Sequence, residues 1–580
     1  MHLLQFIAAF ARRHWRAYVL AALMLLGIAV MTVMIPRRVG HIIDELVAGT
    51  LVGNALWWEI AVLLGMGAGI YLLRVGWRLE LFSAAFRLGV ELRTSLYARL
   101  AQQAPRYFHG ERTGDLMARA TNDVDAVEMA AGEAFLAAFD GSLTLVLVVA
   151  MMTLGIDWRL GLVALLPFPL MAIAFFVISS HVHEAWRRSL DRFSDLNEHV
   201  QETIAAVRTL RALGLTGRAA AEFAKRTGDA ARASFETMKW ESAYEPAVGL
   251  TLTAATVLTL ALGGWLVWQG ELTIGGLTAF TMYLTQLIWP MFAAGWVLSL
   301  IERGKAAWTR LDPVLRAPLS IEDRGTRDAP PQGALHFDDV TFAYTADAAP
   351  AVRDIRFALP RGRTLGIVGP TGAGKSTLLH LLLRHDVAQS GTIRFDEVRI
   401  EEYRLAALRS ILAWVPQEPF LFSATIAENI ALARPDASRS EIEHAARMAD
   451  LDRDVLRFAE GFDTRVGERG VTLSGGQRQR VAIARALLAD APLLLLDDAL
   501  SAVDTGTESR ILAHLREERA SRSAVIVSHR LSAVADADEI VVMRDGAIVE
   551  RGDHEALIAL DGWFAAQWRY QQIEESLENA

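Results

Sequence analysis

The stretch TLGIVGPTGAGKST, residues 364–377, predicts the fold of the C-terminal half of the chain. Its apolar beginning, Thr364–Val368, is typical of a buried strand, and the apolar run Leu378–Leu383 is typical of a helix. The turn between them matches the P-loop pattern, in which backbone N–H groups surround phosphates at a helix N-terminus. The predicted phosphate-binding residues are Gly369, Pro370, Thr371, Gly372, Ala373, Gly374, Lys375, Ser376 and Thr377.

Two of these side chains have specific predicted roles in nucleotide chemistry. Lys375 is expected to reach the β- and γ-phosphates, and Ser376 is expected to hold Mg²⁺. A second apolar run, Leu493–Asp497, ends in an acid, which predicts a strand that places Asp497 on the same cation. A glycine-rich turn without a ligand is the alternative interpretation. The combination of the two motifs favours a site for ATP and Mg²⁺.

The order of the remaining motifs resembles that of the ATP-binding cassette (ABC) family. Its signature motif is matched, between the P-loop and the second strand, by Leu473, Ser474, Gly475, Gly476 and Gln477. The resemblance implies that Tyr344 stacks on adenine, that Gln417 touches Mg²⁺ and that His529 is the switch histidine. It also assigns Ser501 and Asp504 to the D-loop. Each of these residues alone would carry little information, and their order supports the assignment.

Asp498 departs from the family pattern, which has a glutamate here to polarise the attacking water. The resemblance makes Asp498 a catalytic residue together with Gln417 and His529. Aspartate is one methylene shorter than glutamate, so its carboxylate lies about 1 Å or more farther from the water. A displacement of that size can reduce the rate roughly 100-fold. We therefore expect slow hydrolysis at this site, and a harmless conservative substitution is the alternative.

The N-terminal half has the composition of a membrane protein. Apolar residues make up 52% of the chain and charged residues 22%, and the mean hydropathy is +0.26. A helix needs about 20 apolar residues to cross a bilayer. Six stretches meet this requirement, at roughly 18–36, 55–73, 134–155, 160–178, 247–268 and 277–300. The first resembles a signal peptide, but its length and the Pro36-Arg37-Arg38 that ends it predict an uncleaved span.

Arginine and lysine are concentrated between spans two and three and between spans four and five. This distribution predicts that both termini and the C-terminal domain are cytoplasmic, in a multi-pass protein of the inner (plasma) membrane. Each basic segment is long enough for a pair of helical arms that reach roughly 40 Å below the membrane. We expect these arms to contact another domain through turns near Tyr107–Gly110 and Gly214–Gly217. A solvated hairpin is the alternative.

These features predict an all-α transmembrane domain of six helices over residues 1–310, a linker over 311–334 and an α/β P-loop cassette over 335–580. The resemblance covers the whole chain and implies an exporter-type half-transporter, most similar to the A subunits of bacterial multidrug-resistance-like heterodimers. It implies ATP-driven export of small amphipathic or apolar compounds by alternating access, with a second half-transporter as partner. A heterodimer is favoured over a homodimer. A lipid or glycolipid flippase and an ATP-gated pore remain open.

The sequence also excludes several classes of function. The formal net charge of −9 argues against a nucleic-acid partner. The absence of cysteine excludes disulfides, thiol catalysis and cysteine-ligated zinc. Asp140 and Gln286 are polar residues within predicted spans, where such residues often serve function. Both are candidates for a substrate cavity, with contacts to neighbouring helices as the alternative.

Overall fold

The computed structural model describes residues 2–345, 347–467, 473–517 and 522–578. The chain forms two compact units. The first, called the helical unit, contains Met1–Ala101 and Thr113–Ala317. The second, called the α/β unit, contains Gln102–Arg112 and Pro318–Ala580. The turn of the first predicted arm therefore belongs to the same unit as the P-loop.

The helical unit contains the six helices that are long and apolar enough to cross a membrane among the described residues, as the sequence predicts. Long helices suit the interior of a membrane because each helix satisfies its own backbone hydrogen bonds where water is absent. The helices, with the short α4 of the α/β unit included, are α1 Leu3–Arg13, α2 Trp15–Val47, α3 Asn54–Ala101, α4 Pro105–His109, α5 Thr113–Ala118, α6 Val124–Ala150, α7 Trp158–Leu165, α8 Phe168–Ala205, α9 Val207–Ala212, α10 Thr216–Glu241, α11 Tyr244–Trp268, α12 Ile274–Gln286 and α13 Ile288–Arg316.

The two basic segments are helical, as predicted, and they continue the spanning helices without a break in several places. Helix α3 alone has 48 residues, which corresponds to about 72 Å at 1.5 Å per residue. A π-helical turn, Arg119–Asp123, leads into α6. Asp123 is buried there and accepts a 2.9 Å hydrogen bond from Nε of Arg310 on α13. This ion pair connects the first arm to the last spanning helix.

Helices α2 and α12 approach each other closely through two glycines. A Cβ atom on Gly275 would lie 1.9 Å from the carbonyl oxygen of Gly40, so no side chain fits there. The Gly275 N–H donates a 2.7 Å hydrogen bond to Oδ1 of Asp44. Between the same two helices, the hydroxyl of Tyr283 on α12 donates a 2.6 Å hydrogen bond to the carbonyl oxygen of Val33 on α2. Small residues and such hydrogen bonds are what hold helices together in a bilayer, where apolar burial gives little driving force.

The α/β unit contains two sheets. Their strands are β1 Leu335–Phe342, β2 Val352–Leu359, β3 Thr364–Val368, β4 Ser390–Phe395, β5 Val398–Arg399, β6 Leu412–Val415, β7 Leu493–Asp497, β8 Ser523–Val527, β9 Glu539–Arg544 and β10 Ala547–Gly552. The larger sheet has the order β10-β9-β3-β8-β7-β6, and the smaller, antiparallel sheet has the order β2-β1-β4-β5. Strand β3 pairs in parallel with β8 and β9, and β7 pairs in parallel with β6 and β8.

Strands β3 and β7 have the bounds expected from the sequence. Because β3 and β7 run in the same direction, their carboxyl ends meet at one edge of the sheet, where ligands bind in such folds. The helices of this unit that follow β3 are α14 Lys375–Leu382, α15 Leu405–Arg409, α16 Ile426–Ile430, α17 Arg439–Met448, α18 Asp452–Val455, α19 Gly475–Leu488, α20 Thr505–Glu517, α21 His554–Ala559 and α22 Trp563–Glu578.

The segment between the spanning helices and β1 differs in one respect from the expected linker. Helix α13 continues to Arg316 with Pro313 inside it, so the first residues of the expected linker are helical. The residues that follow α13 are hydrogen-bonded to other residues of the α/β unit. The Gln103 side chain donates to the carbonyl of Pro318 at 3.3 Å, and the Leu405 N–H donates to Asp323 at 2.9 Å.

We predict that Gly275→Ala lowers the thermal unfolding temperature of the purified chain, because the added methyl group must push α2 and α12 apart. Overpacking of this kind costs about 1–3 kcal/mol. Gly264→Ala is the matched control, since a Cβ there has no atom within 4 Å and alanine favours a helix by up to about 1 kcal/mol. Equal unfolding temperatures for Gly275→Ala and the wild type would contradict this interpretation of the contact.

Candidate nucleotide-binding site

The turn after β3 has a backbone that only glycine accommodates. Gly369 has φ 145° and Gly374 has φ 95°. A Cβ on Gly369 would lie 2.1 Å from the carbonyl oxygen of Met543, and one on Gly374 would lie 2.2 Å from that of Ala351. The glycines therefore allow the chain to turn sharply from β3 into α14. The N–H groups at the start of α14 are left available for an anion.

Lys375, the first residue of α14, points back into this turn. Its Nζ donates to the carbonyl oxygens of Gly369 at 2.8 Å and Pro370 at 3.0 Å, and the residue is only 6% exposed. Burial lowers the pKa of Lys375, and the nearby carboxylates of Asp498 and Asp497 act in the opposite direction. Neutral carbonyls are weaker acceptors than phosphate oxygens. The ammonium group is thus placed where a phosphate can replace its present partners.

Ser376 and Asp497 form the contact predicted for a cation site. The Ser376 hydroxyl donates a 2.7 Å hydrogen bond to Oδ1 of Asp497, which is buried at the end of β7. Burial raises the pKa of Asp497, and the hydrogen bond from Ser376 opposes this. These hard oxygen donors suit Mg²⁺, which is usually held by one or two protein groups together with substrate phosphates. The described residues contain no group of three or more His, Cys, Asp or Glu that would hold a metal alone.

The structure brings the three predicted catalytic residues together at one carboxylate. Oδ1 of Asp498 accepts a 3.3 Å hydrogen bond from the backbone N–H of His529, and Nε2 of Gln417 lies 3.5 Å from Oδ2. Asp498 itself has φ 48°, a left-handed conformation that aspartate tolerates better than most residues. Its backbone N–H donates to the carbonyl of Val527 at 2.8 Å. The Asp498 carboxylate therefore lies between the ends of β7 and β8.

Tyr344 lies beside the P-loop helix. Its hydroxyl is 3.0 Å from that of Thr377, and its carbonyl accepts a hydrogen bond from the Arg106 guanidinium. The side chain of Gln389 clamps the preceding residue, Ala343, by accepting from its N–H at 3.1 Å and donating to its carbonyl at 3.3 Å. Gln389 and Arg106 were not predicted from the sequence, because a glutamine or arginine that bonds to backbone leaves no characteristic pattern.

The signature motif forms the start of α19. Ser474 is its N-cap: the hydroxyl accepts from the Gln477 N–H at 3.2 Å, and the Gln477 side chain accepts from the Ser474 N–H at 3.0 Å. This reciprocal pair is a capping box, so the motif has a structural role in addition to its predicted one. A Cβ on Gly476 would lie 2.7 Å from the carbonyl oxygen of Ala502, which explains the glycine.

Gln479, another residue that sequence reasoning missed, joins the signature helix to the D-loop. It donates to the Ser501 hydroxyl at 3.1 Å and accepts from the Ala502 N–H at 3.0 Å. Ser501 in turn donates to the carbonyl of Asp498 at 2.8 Å. Asp504 accepts from the Thr507 N–H at 2.9 Å at the start of α20. Among the described residues, Gln479 therefore ties the signature helix α19 to the D-loop of the same chain.

The two polar residues predicted within spans have different surroundings in the helical unit. Nε2 of Gln286 donates to the carbonyl of Thr32 at 3.1 Å, so Gln286 joins α12 to α2. Oδ2 of Asp140 accepts a 2.8 Å hydrogen bond from the indole of Trp289. Trp289 lines a cavity, whereas Gln286 serves helix packing.

Comparisons with known proteins agree with this arrangement. Residues 18–291 match the ABC transporter transmembrane region, and residues 352–501 match the family described as ABC transporter. The chain is 43% identical to the multidrug resistance-like ATP-binding protein MdlA of Escherichia coli, over 100% of this chain and 98% of that protein. It is 36% identical to YheI of Bacillus subtilis, a probable multidrug resistance ABC transporter, over 97% of each.

Two further relatives are informative. A fatty acid ABC transporter protein of Mycobacterium tuberculosis is 35% identical over 82% of this chain and 75% of that protein. Among solved structures, a bacterial Atm1-family ABC exporter with ATP bound has a TM-score of 0.77 and 27% identity, and the match covers 97% of this chain and 99% of that one. The fold predicted from the sequence is thereby confirmed.

We predict that Lys375→Ala lowers the affinity for ATP, because the phosphates lose their only buried ammonium partner within the described turn. Ser376→Ala should leave ATP binding measurable but remove most of its dependence on Mg²⁺. Both quantities can be measured by titrating a fluorescent ATP analogue with and without Mg²⁺. Unchanged affinity and unchanged Mg²⁺ dependence in these variants would contradict the assigned roles.

Proposed function

The chain belongs to the ABC transporters, and we propose that it is one half of a dimeric exporter that moves amphipathic or apolar compounds across the inner membrane. An ATPase coupled to transport is characteristic of this family. One observation supports the proposal most strongly. A single chain joins six helices able to cross a membrane to a P-loop, a signature motif and a strand that ends in Asp497.

The proposed mechanism requires two chains. Gln479 holds the signature helix of this chain to its own D-loop. The start of α19, at Ser474, is the positive end of the helix dipole, which favours an anion such as a phosphate. We infer that Ser474 and Gly476 cap ATP held by the P-loop of the partner half. Binding of two ATP molecules would then join the two α/β units. The ligand shifts the population toward the joined state because it binds that state more tightly.

Within one site, each residue of this chain has a proposed task. Lys375 neutralises the phosphates, and Ser376, Asp497 and Gln417 would hold Mg²⁺, which would polarise the phosphoryl group. Tyr344 supports the adenine. The carboxylate of Asp498 orients the attacking water, and His529 senses the γ-phosphate beside it. Hydrolysis and product release return the dimer to its starting conformation.

The direction of transport follows from the proposed orientation. The basic segments contain Arg87, Arg93, Arg187 and Arg188 among others, and such segments remain in the cytoplasm. Both termini and the α/β unit would then be cytoplasmic. The arms would carry the closure of the α/β units to the spanning helices and open the cavity to the opposite side.

Multidrug-type compounds are the preferred substrates, in line with the names of the Escherichia coli and Bacillus relatives. The Mycobacterium relative, whose name specifies fatty acids, favours a lipid-translocating alternative. We predict that amphipathic aromatic compounds increase the ATPase rate of the reconstituted dimer several-fold at constant lipid composition. An ATPase rate that changes only with the lipid composition of the same preparation would favour the flippase instead.

A heterodimer with unequal ATP sites is proposed because of Asp498. The Asp498 carboxylate accepts a hydrogen bond from the His529 N–H and lies beside the Gln417 amide. Both contacts hold this short carboxylate against its own chain. A position about 1 Å from the optimum can reduce the rate roughly 100-fold. The partner half would supply a glutamate at the faster site, and this chain would supply the signature residues that cap it.

We predict that Asp498→Asn leaves most of the ATPase activity of the complex, because the site on this chain is already slow. Ser474→Arg should remove most of the activity, since it blocks the faster site. Both effects can be measured as the steady-state rate of ATP hydrolysis by the purified complex. Full, substrate-stimulated turnover by a homodimer of this chain would contradict the proposal, as would equal damage from Asp498→Asn and from loss of the partner's glutamate.

A further inference from the structure

His529 lies in the turn that follows β8, and the N–H groups of this turn are bonded to the chain's own residues. The Ser528 N–H donates to the carbonyl of Ile367 at 3.2 Å, and the His529 N–H donates to Asp498 at 3.3 Å. The Arg530 N–H donates to the Ser528 hydroxyl at 3.0 Å. Among the described residues, the exposed imidazole of His529 has no hydrogen-bond partner. The direction of the ring therefore depends on how the backbone of the turn is held.

A glutamine of α22 bonds the same turn at two points. Nε2 of Gln571 donates to the carbonyl of His529 at 2.8 Å, and Oε1 of Gln571 accepts from the N–H of Leu531 at 2.9 Å. Because one partner is a carbonyl and the other is an N–H, only one orientation of the amide satisfies both. A rotation of the peptide groups on either side of Arg530 would break both hydrogen bonds. This pair of bonds is called the Gln571 clamp below.

Helix α22 is itself firmly placed in the α/β unit. The Glu550 carboxylate accepts from the N–H groups of Trp563 at 2.5 Å and Phe564 at 3.1 Å, which fixes the start of the helix. The ring of Phe564 is fully buried and stacks on that of Trp568, with centroids 6.3 Å apart. Residues spaced by three or four positions share one face of a helix. Gln571 therefore continues the face that packs on the core and meets the turn after β8.

The other residues of the turn are held by a different helix. Arg530 is paired with Glu508 of α20 at 2.8 Å, and the Ser532 hydroxyl donates to the same carboxylate at 3.0 Å. Glu508 is only 2% exposed, and hydrogen bonds to a charged group are stronger than neutral ones. These contacts fix the positions on the far side of His529 from β8. Among the described residues, the carbonyl of His529 itself is bonded by Gln571 alone.

We propose that Gln571 is a positioning residue that sets the direction of the His529 imidazole toward the γ-phosphate. The inference rests on the proposed role of His529 as the residue that senses this phosphate. With the clamp in place, the turn presents the ring from one backbone conformation, so little ordering is needed when the nucleotide binds. Without it, the γ-phosphate must order the turn as it binds. The clamp should therefore favour nucleotides that carry a γ-phosphate over ADP.

The test measures nucleotide binding at the site on this chain, in the full-length complex with its partner half in lipid nanodiscs. A photoreactive azido-ATP is bound on ice and crosslinked, and the labelled chain is separated from the partner half by electrophoresis. Competition with AMP-PNP, which has a γ-phosphate that is not hydrolysed, and with ADP gives the affinity for each. Gln571→Ala should weaken AMP-PNP binding about fivefold, the effect of one net hydrogen bond, and change ADP binding less than about twofold.

Two further variants separate the clamp from the packing of α22. Gln571→Met has a side chain of similar length without hydrogen-bonding groups, so it keeps the helix packed and should reproduce the effect of Gln571→Ala. Gln572→Ala is the matched control, because Gln572 is the neighbouring, exposed glutamine of the same helix. It should leave the affinity for both nucleotides unchanged.

His529→Ala is the reference variant, and it should lose most of the preference for AMP-PNP over ADP. Adding Gln571→Ala to His529→Ala should have no further effect, because a residue that acts only through His529 has nothing left to position. A residue with a purely structural role would reduce the affinity by the same factor in both backgrounds.

Three results would overturn the inference while the proposed role of His529 stands. The first is wild-type affinity for AMP-PNP in Gln571→Ala and Gln571→Met. The second is an equal loss of affinity for AMP-PNP and ADP in these variants. The third is an effect of Gln571→Ala that persists in full when His529 is already replaced. If His529→Ala itself keeps the wild-type preference for AMP-PNP, the proposed role of His529 and the inference are both wrong.

Discussion

The chemistry of the α/β unit depends on the 2.7 Å hydrogen bond from the Ser376 hydroxyl to the Asp497 carboxylate. It joins the start of α14 to the end of β7, although β8 lies between β3 and β7 in the sheet. The parallel direction of these strands brings both residues to one edge. The glycines of the P-loop let α14 begin there, and Asp498, the next residue, reaches the same point. From that edge the D-loop leads through Gln479 to the signature helix.

The two units are stabilised by different interactions. The α/β unit buries large apolar surfaces such as the fully buried β3 and β7, so its stability comes mainly from the hydrophobic effect. The helical unit has little to gain from apolar burial within a bilayer. It depends on close approach at Gly40 and Gly275 and on single hydrogen bonds such as Tyr283 to Val33.

Much of the fold could be predicted from the sequence because its signals are local. Apolar runs gave the bounds of β3 and β7, and span length gave the six helices. Helix ends were less predictable: α2 continues past Pro36 to Val47, because a proline is tolerated within a spanning helix and the charged residues that follow it do not end the helix. Asp140 and Gln286 looked alike in sequence, and only the rotation of their helices brings Asp140 to the indole of Trp289 and Gln286 to the backbone of α2. Gln479 and Gln389 act on backbone groups, which leaves no sequence pattern.

In the proposed function, ATP hydrolysis drives vectorial transport through the helical unit. The most direct measurement is uptake of a fluorescent amphipathic compound into inverted membrane vesicles that contain this chain and its partner half. We predict accumulation above the external concentration with Mg²⁺ and ATP, and no accumulation with a non-hydrolysable analogue. Uptake that stops at equal concentrations, or that proceeds with the analogue, would contradict coupled export and indicate a gated pore.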